Sequence, residues 1–490
     1  MMGYESKENQ GKMFYYGINL EERIRPDHPL RQIAGLIDFD FVYEEVQKHY
    51  GIKGNVSVPP PVILKLMLLL VLYNVRSERE LMATIPERLD WLWFLGYDLD
   101  DEIPNHSVLS KARSRWGVKT FKHFFERIVW QCVEAGLVDG SKLFMDSSLV
   151  QADASNDSVV NRESLKRYLN QSYQELEARL ERQPLEKPDS GEVNQRYVST
   201  TDPEASVIRQ GGGNPKLSYK VHRAVDGQTE VITATEVTPG QVNEAHRLSA
   251  LIEQHQENTE KAIETVVADS KYGTVENFLH CHDHQIAAHI PDLKKQQEKS
   301  GSRVGIFPEE AFIYEAQTDT YQCPAGQCLS LRRHHTRRQS VEYVCDRKTF
   351  RSCPLRNQCT RSRTGRSLKR HLRQEDLNQM RAEAGSIASK KDLRMRQHLM
   401  ERSFAQATRY GFKRARWRSL WRVQIQEYLT TSIQNILILI KHVKEQRPAA
   451  AHRNQEVNPK ERFICRFIGL RREFPLRYLP KPLLIYSGDL

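Results

Sequence analysis

Two short apolar runs that each deliver an aspartate constrain this chain more than any other feature. Ser141–Asp146 and Thr265–Asp269 are too short for helices, so each predicts a buried strand with a carboxylate at its C-terminal end. Between them, Leu217–Val225 and Glu230–Val237 predict two further strands, joined through Asp226-Gly227, a hairpin-turn dipeptide. Gly240–Gln256 carries a helical pattern before the second acid, Val275–His284 another after it, and Ile286–Pro291 reads as the next strand. Such alternation requires parallel pairing in part of the sheet and makes the class α/β.

The flanking sequence is helical. From Met13 to about Asp139, Pro59, Pro60 and Pro61 precede an apolar helix ending near Asn74, and Val108–Trp116 and Phe121–Ala135 predict two more, with Gly136 as the stop. Short helices joined by tight turns suit a helix-turn-helix-like DNA-binding region or a plain bundle. Downstream, Glu375–Tyr410 predicts one long helix and Tyr428–Val443 another, with Ile433, Ile436, Leu437 and Ile440 at helical spacing. Two insertions interrupt the α/β pattern: a polar stretch at about 154–213, with a charged helix-like portion from Glu163 to Arg182, and a basic, cysteine-bearing one at about 294–373. At 490 residues the chain exceeds one ordinary core, and it divides into a helical region at 13–139, an α/β region at 140–445 and a tail at 446–490.

Charge points to a polyanionic partner. Lys plus Arg number 73 against 62 Asp plus Glu, a formal charge of +11, and the excess is clustered. Arg332, Arg333, Arg337 and Arg338 lie near His334 and His335, while Lys413, Arg414, Arg416, Arg418 and Arg422 are interleaved with Trp417 and Trp421. The same runs also fit solvated helix faces. Met1–Met13 is polar and carries no secretory pattern. Val62–Tyr73, interrupted by Lys65, falls short of the roughly 20 apolar residues that cross a bilayer. No membrane association and a cytoplasmic location are therefore expected.

Three acids on separate elements are what two-metal phosphodiester chemistry needs, with hard cations about 3.5 to 4 Å apart activating the attacking oxygen and stabilising the leaving one. Leu143–Ser155, which contains Asp146, resembles the first catalytic block of bacterial insertion-sequence transposases with an RNase H-like DDE domain. Leu217–Asp226 followed by Val237–Gly240 is similar to that family's central hairpin, and Val267–Gly273 through His289–Pro291 to its second block. Pro60–Leu66 and Pro104–Ser110 resemble its helical N-terminal region, and Met400–Phe404 with Gly411–Arg416 its glutamate helix and the basic segment after it.

The resemblance implies an RNase H-like mixed sheet with flanking helices, an all-α N-terminal domain, and Asp146, Asp269 and Glu401 as catalytic ligands of two Mg²⁺ ions, with Mn²⁺ able to substitute. It also implies DNA partners (element ends and target) and a homodimer on DNA, located with the bacterial nucleoid when DNA-bound. Gln397 one turn before Glu401, and Thr408 where a lysine is usual, depart from the glutamate-helix pattern. Arg394, Arg396, Arg402, Lys413 and Arg416 are candidates for the missing charge or for DNA phosphate contact, as are Lys220 and His222 on the hairpin. Glu427 is the runner-up acid, and Asp153 reads as an accessory acid or a turn cap.

Five of the eight cysteines crowd between Cys323 and Cys359. Cys323, Cys345, Cys353 and Cys359 would suit tetrahedral Zn²⁺, which staples small insertions lacking their own core. Phe350 stands where related cysteine-bearing insertions carry a further cysteine, which leaves a zinc-free remnant as the alternative. The function implied is recognition of terminal inverted repeats, strand cleavage and strand transfer. A transposase-derived repressor with a degraded site and a simple metal-dependent nuclease are the competing readings.

Overall fold

The computed structural model describes residues 2–3, 19–51, 55–161, 192–209, 211–292 and 305–453. The charged portion expected as a helix from Glu163 to Arg182 lies outside them. By contact density the chain divides into Met1–Leu439 and Ile440–Leu490, and in the second unit the described residues, to Arg453, are helical.

From Leu20 to Glu134 the regular elements are all helices, as their patterns require. Pro60–Leu72 starts with proline at its first two positions, where no N–H is needed, and nearly all of its side chains are buried. Ser77 caps Glu78–Thr84 by accepting a hydrogen bond from the Glu80 amide. Ser107–Glu134 holds the two expected helices in one run, with Gly117 between them at φ 69°, ψ −177°, a conformation that a side chain would oppose. These helices do not stand apart from the α/β region. Arg113 lies over the Trp417 ring at 3.9 Å, the Trp417 indole donates to Glu78 at 3.2 Å, and Phe125 stacks on Tyr428.

Eight strands follow: β1 (Lys142–Gln151), β2 (Val159–Asn161), β3 (Tyr197–Ser199), β4 (Ser206–Ile208), β5 (Lys216–Asp226), β6 (Ile232–Pro239), β7 (Thr265–Val267) and β8 (Ala287–His289). In the main sheet β5 lies beside β1, β1 beside β7 and β7 beside β8, while β6 and β4 share the far side of β5. The hairpin and its pairing with β1 are antiparallel, and β1–β7–β8 are parallel. An antiparallel meander continued by parallel strands with crossover helices is the RNase H-like arrangement. The hairpin loop is longer than the two residues expected: Asp226 accepts from Gly140 and Gln228 amides, and Glu230 takes a left-handed φ of 68° before β6 begins.

Leu143, Met145, Ala224 and Ala234 face a core closed by Leu248, Leu251 and Ile252 of the Leu248–Thr259 helix and Phe278 of the Val275–Asp283 helix. The opposite face of β1 receives the helix Ile387–Thr408. The single long helix expected from Glu375 is in fact two, Gln374–Ala384 and Ile387–Thr408, because Ser386 takes an extended conformation and caps the second through the Ser389 amide. The cysteine-bearing insertion is itself a sheet of β9 (Ile313–Glu315), β10 (Thr320–Gln322), β11 (Cys328–His335), β12 (Ser340–Cys345) and β13 (Ser367–His371), all antiparallel around Phe312, Leu329, Val341, Tyr343 and Leu368. The earlier insertion is partly built into the fold: β2 pairs with β3, and β4 extends the main sheet.

Candidate active site

The site forms where β1 and β7 part. Their parallel register runs through Lys142↔Thr265, Leu143↔Val266 and Phe144↔Val267 and then stops. Asp146 and Asp269 each lie two residues past that last pair. They therefore follow the parallel pairs at the same offset, and Asp146 lies close enough to act electrostatically on Asp269. Asp146 is not at a strand end, as the sequence suggested, because β1 continues against β5 as far as Gln151↔Ser218. Only its parallel partner ends there, and Asp269 becomes the cap of a Ser270–Tyr272 turn by accepting from the Lys271 amide at 3.0 Å.

Both carboxylates titrate above the usual aspartate range. Burial is the main cause at Asp146, outweighing Arg396, which donates from Nη1 to Oδ2 at 2.7 Å, and the Ser147 amide, which donates to Oδ1 at 2.8 Å. Burial also leads at Asp269, followed by repulsion from Glu244 and then from Asp146. Desolvated carboxylates that repel one another match what a hard divalent cation requires of its ligands. The donor set thus fits such an ion. Among the described residues, however, no three His, Cys, Asp or Glu side chains already converge in a geometry that holds a metal.

Glu401 is not brought to this pair. It is exposed on the Ile387–Thr408 helix and accepts from the Gln397 amide group at 3.2 Å, whereas the buried stripe of that helix runs through Asp392, Leu399, Met400, Ser403 and Ala407. Glu427 is 2 % exposed and committed to Arg223, which takes both of its oxygens at 2.6 and 3.1 Å. The acid that does share the electrostatic field of Asp146 and Asp269 is Glu244, which the sequence reading did not single out. Asn243-Glu244-Ala245 looks like an ordinary cap, and the Asn243 side chain does accept from the Ala245 amide, so its second use is visible only in three dimensions.

The basic candidates separate into several roles. Arg396 holds Asp146. Lys220 donates to the Val242 carbonyl at 2.8 Å and lies 3.3 Å from Glu244. His222 is fully buried, bonded to Thr238 at 2.9 Å, and burial pushes its pKa down to about 3, so it is neutral and sits away from any phosphate path. Arg402 pairs with Glu230 on the hairpin loop, and Arg394 is exposed. Arg416 is a structural clamp that donates to the Asn74 side chain and the Val75 and Tyr410 carbonyls. Asp153 pairs with Arg414 and Arg418, an ionic role in place of the expected turn cap. Lys413 is exposed and lines a cleft of about 850 Å³ with Ser148, Gln151, Lys216, Ser218 and Thr408, opening along β1 beyond Asp146.

In the insertion, the thiols of Cys345 and Cys359 are raised by burial. At Cys345 the charges of Cys323, Cys353 and Cys359 add to this, and at Cys359 those of Cys323 and Cys353, so the four expected residues lie within one another's field. Cys328 is exposed.

The sheet topology agrees with sequence-family matches. A family described as "Transposase DDE domain" matches residues 198–436, and one described as "Transposase domain (DUF772)" matches residues 18–115. The chain is an insertion-sequence-type DDE transposase. None of the proteins with curated functions matches it significantly. A solved chain titled "Cryo-EM structure of piggyBac transposase synaptic complex with hairpin DNA" is similar at 7% identity and a TM-score of 0.36, covering 84% of this chain and 72% of that one. The transposase acts on DNA, and among its described residues no helix is long and apolar enough to cross a membrane.

Proposed function

We propose that this transposase cleaves the ends of its own mobile element and joins them to target DNA, with Asp146 and Asp269 holding two Mg²⁺ or Mn²⁺ ions. The observation that supports this is that each aspartate lies two residues beyond the last register pair of β1 and β7 and that both are desolvated. When bound, the cations supply activation of the attacking oxygen and stabilisation of the leaving one. Arg396 neutralises Asp146 and keeps the Ile387–Thr408 helix against the site. Glu401, exposed on that same helix, is proposed as the third ligand on the strength of its family resemblance. Lys216 and Lys413 on the cleft would hold backbone phosphates, while the N-terminal helices would read base edges. Two element ends must be processed together, so the active species is proposed as a homodimer on DNA.

The test is cleavage and joining of DNA bearing the flanking inverted repeats, with Mg²⁺ or Mn²⁺. Asp146→Asn and Asp269→Asn are each expected to lose about a thousandfold or more in cleavage rate, as befits removal of a group that stabilises developing charge. Binding of the repeats without cleavage by the native chain would make it a repressor, and cleavage without joining a nuclease.

We further propose one structural Zn²⁺ at Cys323, Cys345, Cys353 and Cys359, since a cation removes the mutual repulsion of four neighbouring thiolates. Metal analysis of the purified protein is expected to give one zinc per chain, lost in Cys353→Ser together with part of the insertion's thermal stability. Protein purified without zinc whose insertion melts normally would rule this out.

A further inference from the structure

Glu244 stands outside the acids that the family resemblance supplies, yet the fold fixes it beside them. Its short helix, Glu244–Arg247, is tied to the Ser270–Tyr272 turn by one side chain: Asn277 Nδ2 donates to the Ala245 carbonyl at 3.0 Å and to the Tyr272 carbonyl at 2.8 Å. The turn begins at Asp269. Lys271, whose amide donates to the capping Asp269 carboxylate, sends its Nζ to Glu244 Oε1 at 3.0 Å, and Lys220 Nζ addresses the same oxygen from β5 at 3.3 Å. A carboxylate only 5% exposed is thus balanced by two ammonium groups on one oxygen.

A second observation lies in the same place. Tyr272 is fully buried, and its hydroxyl has no hydrogen-bond partner. Leaving a buried hydroxyl unpaired costs about 1 to 3 kcal/mol, so its donor is held for an acceptor that another state supplies. The negative charges acting on it are, in order of strength, Glu244, Asp146 and Asp269. A phenol with its proton uncommitted therefore lies in the core within the field of the acid cluster.

We propose that Glu244 is a further carboxylate of the cation centre and that the Tyr272 hydroxyl is the donor that positions it when a divalent ion binds. The two lysines hold Glu244 while the centre lacks its cation. On cation binding one Glu244 oxygen turns to the ion, and Lys271, whose side chain is 63% exposed, is released towards solvent and the DNA backbone. This rests on the reading of Asp146 and Asp269 as cation ligands.

The experiment is Mn²⁺ binding to the full chain without DNA, followed by calorimetry and by the loss of the free-ion electron-spin resonance signal. The native chain is expected to bind Mn²⁺, and Asp146→Asn to abolish at least one site. Glu244→Gln is expected to weaken binding by about 10- to 100-fold, the range typical of groups that hold or support metal ligands, with Glu244→Asp recovering part of it. Tyr272→Phe keeps the ring in the core and removes only the orphan hydroxyl, so a purely structural role predicts unchanged affinity, and about a tenfold loss is expected here. If Glu244→Gln does not fold, Tyr272→Phe alone decides. Unchanged Mn²⁺ affinity in both variants, with loss in Asp146→Asn, would overturn the proposal and leave the two aspartates standing. No Mn²⁺ binding by the native chain would overturn both.

Discussion

Asp269→Asn is expected to raise the melting temperature of the cation-free protein while removing its stabilisation by Mn²⁺. The carboxylate titrates above its ordinary value in the folded chain, first because it is buried and then because Glu244 and Asp146 repel it. The sign follows from linkage. A group whose folded pKa is raised favours the fold while protonated, below its unfolded pKa, and that contribution is lost as pH rises through the folded value. At neutral pH Asp269 is therefore a liability in the cation-free protein, and the amide relieves it. Native protein should gain stability from this group on acidification from neutrality towards the carboxylate range, and Asp269→Asn should flatten that part of the profile. The cation reverses the balance: at about 100 times its dissociation constant it stabilises by about 2.7 kcal/mol. For a unit spanning Met1–Leu439 each kcal/mol moves the melting temperature by roughly 1 °C, so a native shift of roughly 3 °C is expected and none in the variant. Scanning calorimetry with and without Mn²⁺ checks both halves. A variant that melts lower without cation yet keeps the Mn²⁺ shift would remove Asp269 from the centre.

Much of this centre was legible because it is built from local patterns. The apolar runs before Asp146 and Asp269 predicted two buried strands, and the Asp226-Gly227 hairpin and the helices around the second acid fixed the class. What was not legible depends on contacts between distant segments. Nothing in Lys142–Gln151 says that its parallel partner stops at Val267 while its antiparallel partner continues, so Asp146 was placed at a strand end instead of at a fork. Gly385-Ser386 did carry a signal, a small residue followed by a good cap, and it breaks the helix expected to run unbroken to Tyr410. His222 and Arg416 have side chains suited to phosphate, but burial against Thr238 and clamping of Asn74 assign them to the scaffold. Glu244 shows the converse, since its helix-start context conceals an acid whose lysine partners lie on β5 and beyond Asp269.

Glu427→Gln is expected to destabilise the protein severely without altering the Mn²⁺ affinity of whatever remains folded, which separates this acid from those of the centre. Its carboxylate accepts both arms of the Arg223 guanidinium and the Thr235 hydroxyl at 3.0 Å, while Arg223 Nη1 reaches the Gln434 side chain at 3.1 Å and Ser403 at 3.3 Å. The guanidinium lies against the adjoining rings of Phe404 and Phe412, at 4.8 and 4.9 Å, and is shut off from water. Removing one member of a buried pair leaves the other charge uncompensated, which costs about 3 to 5 kcal/mol. A drop of roughly 3 to 5 °C in melting temperature follows for a unit spanning Met1–Leu439. The pair also bears on the chemistry indirectly. Arg223 is the register partner of Asp146, and through Ser403 it anchors the helix that sends Arg396 to that carboxylate. A cycle of Arg223→Met, Glu427→Leu and the double variant apportions the effect: each single change is expected to cost several times more than both together, because an apolar pair of similar volume leaves no buried charge behind. Additive losses in the double variant would mean that the two side chains act on the fold separately, and that Glu427 must be considered for a role in the centre after all.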